Sequence, residues 1–134
     1  MDLGAIKPGR TGTSELLVGE EHTAPRVGSG EVHVLATPVM INVIEAAALA
    51  AIERLLPPGY QSLGTLLNVR HLAATPVGMR VRAQAKVLKV EGRTVFFDAQ
   101  VHDERELVGE GTHERVVVNV AKFSDRVRRK LSRP

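Results

Sequence analysis

Three side chains in this sequence could share one reaction: Thr37, Glu45 and His71. A hydroxyl, a carboxylate and an imidazole are the parts of a general base with an attacking hydroxyl or water. His71 ends an alternating run in which Leu63, Thr65, Leu67 and Val69 share its face, so it points toward the apolar side. A histidine there is either a satisfied core residue or a base, and a carboxylate from the element it covers would favour the base. Glu45 stands in an apolar stretch. At about 100° per residue it lies beside Leu49, Ile52 and Leu56, away from Asn42 and Glu53. A carboxylate in such company is costly unless it is paired or functional. The plainer alternative is a boundary residue in partial contact with water. Thr37 precedes Pro38 at the start of the same stretch and reads as a helix N-cap. A helix start also offers free N–H groups to a developing oxyanion. Thr37 and Glu45 are eight residues apart, about 12 Å along a straight helix. Either His71 bridges them, or two subunits contribute to one site.

Other chemistry finds little support. His22, His33, His102 and His113 lack metal-ligand spacing, so no metal is expected, and nothing calls for a cofactor. Gly109 and Gly111 do not form a phosphate loop, and there is no GxSxG elbow. With no cysteine, disulfides, thiolate metal sites and cysteine nucleophiles are excluded.

The elements that must position these residues follow from periodicity. A first strand is expected from Ser14 to Thr23, a loop over Pro25 to Gly30, and a short extended piece from Glu31 to Leu35. Pro38 to Leu56 predicts one long helix, stopped by Pro57-Pro58-Gly59. Strands are expected over Gln61 to Ala74, Met79 to Val90, Arg93 to His102 and Leu107 to Val120. Val81, Ala83, Ala85 and Val87 alternate with polar neighbours, as do Val95, Phe97, Ala99 and Val101, so one sheet face is covered. Parity breaks after Val87, where Leu88 and Val90 are both apolar, which predicts a bulge. Leu107, Gly109 and Gly111 share a face that admits close approach. The helix is apolar nearly all round and must be buried. A long helix gripped by a curved antiparallel sheet is an α+β arrangement of the hot-dog type.

The 134 residues fit one domain, 1–134, with a lead-in over about 1–12 and a basic tail over 124–134. Aromatic residues are only 3% of the chain, so the core rests on Val, Leu, Ala and Ile. No signal peptide or membrane span is evident, and a cytoplasmic protein is expected. The net charge of +3 is mild. Without interleaved aromatics or a known motif it argues against nucleic acid, and it suits a ligand carrying several phosphates. A lone curved sheet leaves strand edges open, so two copies should join edge to edge.

The chain resembles the fluoroacetyl-CoA thioesterase group of the hot-dog superfamily. The resemblance is carried by Ala36-Thr37-Pro38-Val39-Met40 through Glu45, Ser62-Leu63-Gly64-Thr65, His71 to Thr75 with Gly78, and Val90-Glu91-Gly92-Arg93. It continues through His102-Asp103, Gly111-Thr112-His113-Glu114-Arg115, Lys122-Phe123 and Val127-Arg128. It implies hydrolysis of an acyl-CoA by a Thr37/Glu45/His71 set, without metal, in a homodimer. It also implies that the Gly64 backbone lies near the thioester carbonyl and Arg115 near the coenzyme A phosphates. The fluoroacetate-specific member carries a longer segment before the helix, with an aromatic lid. Here Pro25 to Leu35 is short and has no Phe or Tyr, so a general small acyl-CoA is the expected substrate. The rival readings are a non-catalytic acyl-CoA binder, and a hot-dog dehydratase whose Asp/His dyad is not found in this sequence.

Overall fold

A computed structural model describes residues 1–132. Its elements are β1 (Thr11–Leu17), the one-turn helix α1 (Ala24–Val27), the long helix α2 (Thr37–Ile52), and β2 (Tyr60–His71). Then come β3 (Arg80–Glu91), β4 (Thr94–His102), β5 (Leu107–Asn119) and helix α3 (Val120–Arg128). The five strands form one antiparallel sheet in the order β1-β3-β4-β5-β2. The sheet curls around α2, whose Met40, Ile44, Ala47, Ala48, Ala51 and Ile52 are buried.

The alternation in β3 and β4 does the packing. Val81, Ala83, Ala85, Val87, Val95, Phe97, Ala99 and Val101 are all buried against the helix. Small residues let the layers close up. A Cβ on Gly12 in β1 would run into the Ala47 and Ala51 backbone, so only glycine permits this strand-to-helix distance. The register shifts between Val87 and Lys89, which is the bulge that the broken parity at Leu88 predicts.

Several boundaries differ from expectation. The first strand is Thr11–Leu17 rather than Ser14 to Thr23, and a 3-10 turn over Glu20–His22 follows it. The expected lead-in therefore already contains the start of β1, and Ile6 within it is buried in the core. Pro25 helps start α1 where a loop was expected. The extended piece before α2 contributes only an isolated bridge between Thr23 and Leu35. Helix α2 ends at Ile52 and tightens into a 3-10 turn, Glu53–Leu55. Of the expected basic tail, residues through Arg128 belong to α3 and Arg129–Leu131 form a further 3-10 turn. Arg133 and Pro134 lie outside the described residues.

A second bulge matters most for the site. In β2 the register against β5 shifts between Gly64 and Leu66, leaving Thr65 as the extra residue. One extra residue exchanges the faces of everything beyond it. Ser62 and Gly64 therefore face α2 before the bulge, and Leu67, Val69 and His71 face inward after it. A single unbroken alternation from Leu63 to His71 does not hold.

Candidate active site

Thr37 and His71 meet. The Thr37 Oγ lies 2.8 Å from His71 Nδ1. The backbone brings them together from both sides: Leu35 N–H donates to Thr75 C=O at 2.9 Å, and Leu72 N–H donates to Val108 C=O at 2.7 Å. Thr75 is fully buried and its hydroxyl donates to Asp103 at 2.9 Å. The segment just after His71 is thus tied both to the lead into α2 and to the β4–β5 turn. Thr37 is not the N-cap. Ala36 holds that position, Thr37 is the first helical residue, and no side chain caps this helix start. The reason is that Ala36 is the last residue with extended backbone, at ψ 141°. The threonine hydroxyl is left for the imidazole.

The other ring nitrogen of His71, Nε2, is buried and has no hydrogen-bond partner among the described residues. Burial also holds the His71 pKa below its ordinary value, because the charged form loses hydration. The ring is therefore neutral near pH 7, with one nitrogen free to accept. Beside the pair opens a cleft of about 330 Å3, walled by Ala24, Ser29, Val34, Leu35 and Leu72.

Glu45 belongs to a second cluster. Its carboxylate lies 3.2 Å from Arg115 Nη1, and its side chain is 33% exposed. A Cβ at position 64 would collide with this carboxylate, so glycine there lets Glu45 lie against the strand at the bulge. Beneath it runs a polar chain. Arg115 Nε donates to Ser62 Oγ at 2.8 Å and Nη2 donates to Ser62 C=O at 3.1 Å. The Ser62 hydroxyl donates to Glu53 at 2.8 Å, and Glu53 also accepts from Ser62 N–H. His113 Nδ1 is 2.8 Å from Leu66 C=O, and its Nε2 is 3.2 Å from Arg115 Nη1. A carbonyl only accepts and a guanidinium only donates, so His113 is neutral with its proton on Nδ1. Burial, which outweighs the opposing bond to Leu66, lowers its pKa accordingly. Its ring stacks on Phe97 with centroids 5.7 Å apart.

This geometry corrects the expectation for Arg115. The residue is only 5% exposed and its guanidinium is engaged by Ser62, His113 and Glu45. It has no open face for a phosphate, and it holds Glu45 instead. Ser62, Glu53 and His113 were not expected in the site. The signal for His113 was present, since it continues the Gly109–Gly111 face of β5 inward. Ser62 was hidden by the bulge. Within the protomer, Glu45 makes no hydrogen bond to Thr37 or His71 among the described residues. Nor, among the described residues, do three His, Asp or Glu side chains gather as a metal site would need.

Comparison with known proteins agrees with this architecture. The family model described as fluoroacetyl-CoA-specific thioesterase matches residues 18–121. A fluoroacetyl-CoA thioesterase of Streptantibioticus cattleyicolor is 42% identical over 72% of this chain and 70% of that protein. A solved structure of the fluoroacetyl-CoA thioesterase FlK superposes with a TM-score of 0.88 at 35% identity, over 92% of this chain and 96% of that one. A hot-dog-like protein from Thermanaerovibrio acidaminovorans superposes with a TM-score of 0.91 over 100% of both chains, at 23% identity, which bears on the fold alone. The fold is the hot-dog fold, and the chain belongs to the fluoroacetyl-CoA-specific thioesterase family.

Proposed function

We propose that this protein hydrolyses the thioester of a small acyl-CoA, giving the free acid and coenzyme A. The observation that carries this reading is the Thr37 hydroxyl, 2.8 Å from a half-buried, neutral His71 in a largely apolar cleft. His71 Nδ1 takes a proton from Thr37 or from a water held by it. The oxygen adds to the carbonyl, the C–S bond breaks, and the proton passes to the departing sulfur. Where that oxygen is the Thr37 Oγ, water then adds to the acyl-threonine ester with His71 again taking its proton, and the acid leaves as the Thr37 hydroxyl is restored. Backbone N–H groups near the Gly64 bulge are suited to hold the oxyanion, because an extra strand residue leaves the ladder unpaired there. Glu45 supplies the negative charge that steadies the imidazolium or orients water.

Two subunits would build each site. Thr37 and Glu45 are about 12 Å apart along α2, and Gly64 and His71 about 23 Å apart along β2. Strand β2 is an edge of the sheet and carries exposed Leu63 and Leu66. Antiparallel pairing of β2 with a second copy about a two-fold axis would set the His71 end of one strand beside the Gly64 end of the other. That arrangement would cover the edge and bring Glu45 of the partner subunit toward Thr37 and His71.

A thiol-release assay over a panel of acyl-CoAs tests the activity. His71→Ala should fold and lose about 10²–10⁴-fold in kcat. Tight acyl-CoA binding with no turnover by the wild type would instead support a binding protein. Sedimentation should give a dimer, and a fully active monomer at micromolar concentration would overturn the two-subunit site.

A further inference from the structure

Helix α2 sends two carboxylates to one arginine. Glu45 meets Arg115 directly, 3.2 Å from Nη1. Glu53 meets it through the Ser62 hydroxyl, which donates to Glu53 at 2.8 Å and accepts from Arg115 Nε at 2.8 Å. The helix breaks at Ile52, where φ is −127°, and Glu53 opens the 3-10 turn that follows. There it also accepts from the Ser62 N–H. Among the described residues the Glu53 carboxylate has no paired cation and no hydrogen-bond donor other than Ser62. A half-buried carboxylate without a cation of its own is costly unless it is functional.

The bond directions in this chain are forced. A carboxylate only accepts and a guanidinium only donates, so the Ser62 Oγ proton must go to Glu53. That turns an oxygen lone pair toward Arg115 Nε. The Ser62 C=O takes Nη2 at 3.1 Å, and His113 Nε2 takes Nη1 at 3.2 Å. Three acceptors thus fix the plane of a rigid fork, and the remaining Nη1 proton points at Glu45. His113 has its own hold, since Leu66 C=O accepts from its Nδ1 and its ring stacks on Phe97. The other two acceptors are both on Ser62, and Glu53 holds Ser62 by its hydroxyl and its N–H. We infer that Glu53 is a positioning residue for Glu45, setting that carboxylate through Ser62 and Arg115. The inference rests on the thioesterase reading above, in which Glu45 acts in the site. The two carboxylates are eight residues apart, about 12 Å along the helix, so Glu53 itself touches no reacting atom.

The test is Glu53→Ala beside Glu53→Gln, each also combined with Glu45→Gln, on protein whose melting curve shows it folded. Glu53→Ala should lower kcat for acetyl-CoA about 10–100-fold, because a small displacement of a working group costs up to about 10²-fold. KM should stay within about twofold, since nothing that binds substrate is removed. Glu53→Gln keeps one acceptor oxygen for Ser62, and its kcat should fall between those of Glu53→Ala and wild type. With Glu45→Gln already present, Glu53→Ala should change kcat by less than about twofold, because its route of action is gone. An undiminished loss in that background would mark a general structural effect and overturn the inference. So would a wild-type kcat in Glu53→Ala. An arm independent of turnover follows the side-chain N–H signals of isotope-labelled arginine by NMR. The Arg115 guanidinium should rotate slowly about its Cζ–Nη bonds in the wild type and faster in Glu53→Ala. Unchanged Arg115 signals would overturn the inference even if the rate fell. Absence of thioesterase activity in the wild type would defeat the catalytic reading and leave the hold of Glu53 on Arg115 to be decided by these signals alone.

Discussion

The Thr37 hydroxyl spends its hydrogen bond on His71 Nδ1, 2.8 Å away, and not on the helix that Thr37 begins. This separates two effects that a capping threonine would combine. Losing an N-cap side chain costs about 1 kcal/mol of stability, and here no such bond exists to lose. Thr37→Ala should therefore keep its melting temperature within about a degree or two while kcat falls far more. Thr37→Ser restores a hydroxyl at the same place and should recover part of the rate. Parallel melts and kinetics on both variants decide the point. A large loss of stability in Thr37→Ala with little kinetic change would show that the hydroxyl is structural.

The pH dependence follows from half-buried His71 and buried His113. Burial lowers the pKa of His71, so its base form persists to more acid pH than a free histidine allows. The acid limb of kcat/KM should fall with an apparent pKa below the usual value of about 6.5. Stability should move the same way. The unfolded chain takes up protons on both rings before the folded chain does, so stability is full above about pH 6.5 and declines as pH falls toward the folded values. Replacing His71 with Ala should remove its share of this decline and leave the share owed to His113. A rate profile flat down to pH 5, with the enzyme still folded, would remove His71 from the role of base.

Most of the fold could be read from the sequence because β3 and β4 alternate cleanly and α2 is apolar all round. The strand faces, the bulge at Leu88 and the curl of the sheet follow from those patterns. What could not be read was the bulge at Thr65. A bulge is a property of two strands in register, and β2 carries apolar residues on both faces near it, so nothing in its own order marks the slip. That one residue moves Ser62 and Gly64 to the helix side, which creates the Ser62–Arg115–Glu45 chain. The place of Thr37 and His71 beside one another could be expected only in outline, since their contact depends on how the segments 72–75 and 32–36 are tied together. The burial of Arg115 is a similar case. The resemblance set its charge near the coenzyme A phosphates, and only the fold shows His113 and Ser62 as the partners that let a guanidinium stay inside.

That buried arrangement makes a sharp prediction at two positions. Gly64→Ala places a methyl group against the Glu45 carboxylate and must displace it. It should lower kcat with a smaller change in stability, because the carboxylate is partly exposed and can swing outward. Arg115→Met should instead destabilise the fold by about 1–3 kcal/mol, since it leaves the buried Ser62 and His113 groups without their partner while the partly exposed Glu45 can turn to water. Chemical denaturation of the two variants, beside their rates, separates a positioning effect at Gly64 from a structural one at Arg115. Equal stability of Arg115→Met and wild type would show that the polar chain contributes little.

The walls of the Thr37–His71 cleft bear on substrate choice. Ala24, Ser29, Val34 and Leu35 supply the side before α2, and no aromatic ring lines the cleft among the described residues. Small aliphatic walls distinguish a single added substituent by about 1–3 kcal/mol, or roughly 10–200-fold. Fluoroacetyl-CoA and acetyl-CoA should thus differ by no more than this in kcat/KM, and propionyl-CoA should remain a substrate. Competition between the substrates in one reaction, followed by separation of the acids, measures the ratio directly. A preference for the fluorinated substrate above about a thousandfold is beyond what such walls supply. It would require the selectivity to come from the charge distribution around Thr37 and His71 rather than from the shape of the cleft.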